Sequence, residues 1–153
     1  MNTNINMEQL QKDAVDIFNQ GFACSESVIY AIRKHFEVDI PDEAIAMSSG
    51  FPWGLGAEDV SAARLAGGTM CIGYFFGRTT PGDPKINRCF ELTNEFHDYF
   101  KEACGAVLLS HSYKRHGEKF SGKKAQCNRF VELTVKKIAE ILIRELKKDE
   151  ESK

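Results

Sequence analysis

The chain has 153 residues, 42% of them hydrophobic and 27% charged, with eleven Phe. That is about one domain's length, with enough apolar material for a core that needs no disulfide staples. A formal charge of −2 offers no basic field to nucleic acid or an anionic membrane, and five cysteines without a CxxC stand out.

The first residues, MNTNINMEQLQKDAVDIF, lack a basic segment followed by an apolar one, so no secretory signal is expected. The longest apolar stretch, Leu65 to Phe76, is about 12 residues against the ~20 a spanning helix needs, and glycines interrupt it. The expectation is a cytoplasmic protein with no membrane segment. There thiols stay reduced, and grouped cysteines mean metal or catalysis more often than structural bridges.

Helical periodicity dominates, and no period-2 strand stands out. The pattern predicts a helix from Met7 to Phe18 that stops near Gly21. A second, from about Ala23 to Phe36, carries Cys24, Val28, Ile32 and Phe36 at four-residue spacing, on one face. Pro41 with Asp42 and Glu43 reads as the first turn of a short helix ending by Ser48-Ser49-Gly50. The segment Gly50 to Gly56 is a glycine-dense loop holding the single residue Trp53.

The next helix, about Val60 to Gly77, is built from small residues: Ala62, Ala63, Ala66, Gly67, Gly68 and Gly73. Each Gly costs ~1 kcal/mol against Ala inside a helix, so close approach of another helix is expected there. That makes it the central element. Asp83-Pro84 supplies an N-cap and first-turn pair for a long helix to about Ser112, which Gly105 is expected to kink. Its inner stripe is Cys89, Leu92, Phe96, Phe100, Ala103 and Val107, with Cys104 beside it. After a polar loop from Gly117 to Gly122, a last helix from about Lys124 to Leu146 aligns Cys127, Val131, Val135, Ile138 and Leu142. The expected fold is therefore all-α: one compact bundle of five or six helices around the Gly/Ala-rich one. It forms a single domain over 1–153, with frayed tails at 1–6 and 147–153.

Cys24, Cys104 and Cys127 each sit one turn from an apolar residue on a different helix. Spacing alone favours thiols packed as small hydrophobes, with a convergent redox or metal site as the sharper alternative. Cys24 near a helix start, and Cys127 near Lys123, Lys124 and Arg129, favour thiolate, although the helix-end effect fades beyond the first turn.

Several stretches carry a further signal: Gly21-Phe22-Ala23-Cys24-Ser25-Glu26-Ser27-Val28, Ser49-Gly50-Phe51, and Gly67…Gly73-Tyr74-Phe75-Phe76-Gly77. Phe100…Cys104…Leu108-Leu109 and Cys127-Asn128-Arg129-Phe130-Val131 continue it. In order and spacing they resemble the bacterial and archaeal redox-active proteins named for a C…GCAxxG…C…C pattern, over roughly Met7 to Leu142. The resemblance implies a small helical cytoplasmic protein with four characteristic cysteines and a redox role. Cys24 matches the first cysteine, Cys104 the third and Cys127 the fourth, so these three are the implied catalytic residues.

The second family cysteine has no counterpart. Aligning on Gly67 places Ala62-Ala63-Arg64-Leu65-Ala66-Gly67 at the motif, and aligning on Gly73 places Thr69 at the cysteine. Cys71, nine residues beyond Ala62, falls on the opposite face and does not replace it.

Other constellations are weaker. His97 and His111 are each seven residues from Cys104, about 10.5 Å of rise, too far to share one zinc easily without a kink. The Gly50–Gly56 loop is neither a Walker A nor a GxGxxG turn, and is read as a tight connection with Trp53 covering the core. Ser25, Ser27, Ser110 with His111, and Ser121 form no nucleophile elbow and are read as caps or solvent contacts. His35 and His116 are read as surface residues. No cofactor is expected. The expected function is thiol–disulfide exchange or reversible thiol oxidation, with a redox partner or small molecule, and a homodimer is compatible. The alternatives are a non-catalytic helical module that keeps this fold, and metal or iron–sulfur binding through the same cysteines.

Overall fold

The computed structural model describes residues 1–51, 61–104 and 120–153, without side-chain detail for 61–64, 104 and 120–126. Six helices lie among the described residues, with no strand: α1 (Met7–Asn19), α2 (Cys24–Phe36), α3 (Asp42–Ser48), α4 (Ser61–Phe76), α5 (Lys85–Cys104) and α6 (Phe120–Glu151). The all-α bundle read from the periodicity is the observed architecture. Trp53, most of the Gly50–Gly56 loop, Gly105, Val107, Ser110, His111 and His116 lie outside the described residues.

Local chemistry sets the boundaries. Asn6 caps α1 by accepting the Gln9 amide at 3.1 Å, and Gly21 at φ 117° makes the turn into α2 that a side chain would strain. Glu37 ends α2 in the left-handed conformation at φ 53°, with Arg33, Lys34 and His35 in the last turn, where positive charge suits the helix end. Pro41 is the cap of α3, one place earlier than expected. Asp83 accepts the Lys85 amide at 2.9 Å, which starts α5 where the Asp-Pro pair predicts it.

α4 packs on α2, α3, α5 and α6, and α2 and α6 share the centre with it. Its glycines explain how. A Cβ on Gly67 would lie 2.5 Å from the Ser25 carbonyl oxygen, and one on Gly68 would lie 2.7 Å from the Phe96 ring and 2.9 Å from Ile138 Cγ1. Neighbouring glycines thus let one helix meet the backbone of α2 and the side chains of α5 and α6. Further along, the Phe75 ring meets Phe36 at 6.2 Å, edge to face. Ser25 and Phe36 run in the same order as Gly67 and Phe75, so α2 and α4 are parallel.

The core is the predicted stripes brought together. Val28, Ile32 and Phe36 of α2, Leu92, Phe96 and Phe100 of α5, and Val131, Val135, Ile138 and Leu142 of α6 are all buried. Ala103 is exposed, so the α5 stripe leaves the interior after Phe100. α6 begins at Phe120, so the polar loop expected up to Gly122 is helical over its last three residues. Gly122 costs only about 1 kcal/mol, which propagation from a packed helix overcomes.

Both ends of the chain make contacts with the bundle. Asn2 donates its amide to the Phe36 carbonyl at 2.8 Å, holding the N-terminal segment against the end of α2. α6 continues through Glu151, and Asp149 there accepts from Arg88 at 2.8 Å. No helix among the described residues is long and apolar enough to cross a membrane.

Candidate thiol site

Cys24 is the first residue of α2 and half-buried. The residues after it build a polar clasp at this helix end. Glu26 folds back so that its Oε2 accepts the Ala23 N–H at 2.6 Å, while its Oε1 accepts the Ser49 hydroxyl. Ser25 donates its hydroxyl to the Ser48 carbonyl at 3.0 Å, and Ser27 donates to the Ala23 carbonyl at 2.8 Å. Ser25 and Ser27 are therefore buried hydrogen-bond donors, not solvent contacts, because carbonyls within the fold take their protons.

The backbone just past Cys24 is thus held on two sides, by the end of α3 and by Gly67 of α4. The signal for the clasp was in the sequence. A Glu three residues after the cap position is half of a capping box, and Ala23, lacking a hydroxyl, cannot supply the other half. The close packing of Ser25 on Gly67 joins residues forty-two apart, and local pattern does not contain it.

Cys127 is the eighth residue of α6 and also half-buried. With the helix starting at Phe120, it stands in the third turn, outside the reach of the helix-end effect. Beside it, the Asn128 Oδ1 is buried without a hydrogen-bond partner among the described residues, which is uncommon for a buried acceptor. Phe130 and Val131 then enter the core. Cys104 closes α5, but its side chain lies outside the described residues. The helices bearing Cys24 and Cys127 pack directly on one another, and α5 packs on α6.

Cys71 and Cys89 contrast with these. Both are buried in the hydrophobic core, and burial pushes the Cys71 thiol up to about 12. A thiol held so far above neutrality carries almost no thiolate and behaves as a small hydrophobe.

Each of the two described histidines faces an aspartate. His97 is exposed beside Asp98 at 3.2 Å. His35 is mostly buried, its Nε2 2.8 Å from Asp13 Oδ2, so it is not the surface residue expected; α1 covers it. Among the described residues, no group of three or more His, Cys, Asp and Glu is arranged to hold a metal ion.

A family model described as "Putative redox-active protein (C_GCAxxG_C_C)" matches residues 22–141. No match was found among curated proteins or among solved structures. The matched stretch is well over half of the chain, and the chain belongs to that family.

Proposed function

We propose that this member of the redox-active family is a cytoplasmic thiol–disulfide exchange protein that works through Cys24, Cys104 and Cys127. The observation that carries the reading is the division of its thiols. Cys24 and Cys127, which the sequence resemblance matches to family cysteines, are half-buried on helices packed together, while Cys71 and Cys89, which it does not match, are sealed in the core.

In this mechanism the thiolate of Cys24 or Cys127 attacks one sulfur of a substrate disulfide. The substrate S–S bond breaks, a mixed disulfide forms, and the displaced thiolate takes a proton from water. A second thiol, with Cys104 as the resolving candidate, then attacks the mixed disulfide and releases the other half of the substrate. With a peroxide as oxidant the first product is a sulfenic acid, which the second thiol converts to a disulfide with loss of water.

The test is alkylation of the native protein with peptide mapping, before and after mild peroxide. Cys24 and Cys127 are expected to label before oxidation and to lose that labelling afterwards as disulfide or sulfenate forms. Five thiols that stay unreactive until the chain is denatured, with no disulfide formed, would overturn the reading.

A further inference from the structure

We draw no further inference here: the strongest candidate, the junction of α5 and α6 where Cys104 and Cys127 each stand about one turn from the stacked rings of Phe100 and Phe130, belongs to the thiol site already described.

Discussion

Gly67 and Gly73 share one helix, yet the space around them predicts opposite outcomes for the same substitution. A methyl group at 67 would press on the backbone of α2, which cannot move aside as a side chain tip can. Gly67→Ala is expected to lower stability by roughly 1–3 kcal/mol, as overpacking does. Gly73→Ala meets open space inside a helix and is expected to raise stability by up to about 1 kcal/mol. Urea denaturation of the two variants checks both signs. The cysteines invite a second comparison. With its thiol near 12, Cys71 carries a thiolate fraction of about one in ten thousand at pH 8, and burial denies reagent access as well. Timed alkylation of the native protein is expected to modify Cys24 and Cys127 while Cys71 stays unlabelled. The sequence ranked these thiols by family position; which were sealed required knowing what covers them.

At the scale of elements, two carboxylates bind helices together and make the fold acid-sensitive. Asp13 of α1 faces Lys34 at 2.9 Å and His35 at 2.8 Å on α2, and Lys34 chiefly, with His35, holds its carboxyl at about 2 against the upward effect of burial. Glu95 of α5 faces Arg144 at 2.7 Å and Lys137 at 3.1 Å on α6, and Arg144 chiefly, with Lys137, holds it at about 2 as well. Both values lie below those of an unfolded chain, so both pairs stabilise the fold above about pH 4.5. That contribution is lost as pH falls toward 2. Asp13, whose side chain is only 15% exposed, is expected to be worth on the order of 1 kcal/mol after solvent screening. Asp13→Asn should lower stability at pH 7 and flatten its decline between pH 4 and 2, as read from denaturation midpoints across that range. None of these cross-helix pairs was legible in the sequence. Arg144 meets a carboxylate from another helix, Glu95 of α5, which no local pattern contains.

At the scale of the whole molecule, the last turns of α6 lock the bundle. Arg88 of α5 reaches the Glu145 carboxylate at 3.3 Å, its backbone carbonyl at 3.0 Å and Asp149 at 2.8 Å, and covers the Phe76 ring at 4.5 Å. Three helices thus meet at one guanidinium. Burial pushes the Glu145 carboxyl upward, but Lys148 and Arg144 more than offset it and leave it below its usual range. Arg88→Ala is expected to cost roughly 1–2 kcal/mol, the scale of charged hydrogen bonds lost beside a buried carboxylate. Removing the exposed residues 150–153 should change stability by less than about 0.5 kcal/mol. Thermal unfolding of the two chains separates the lock from the tail.

The sequence by itself determined the all-α class, nearly every helix start and the stripes that became the core. Those properties come from the period of apolar residues and from capping groups within a few residues of each helix end. It also carried the family pattern and the absence of its second cysteine. Only the tertiary structure decided which glycine of α4 meets the backbone of α2, at Gly67 against Ser25. It alone sealed Cys71 in the core and set Ser25 against Ser48. Each of these depends on how α2, α3 and α4 approach one another, and that approach is set by packing between residues far apart in the chain.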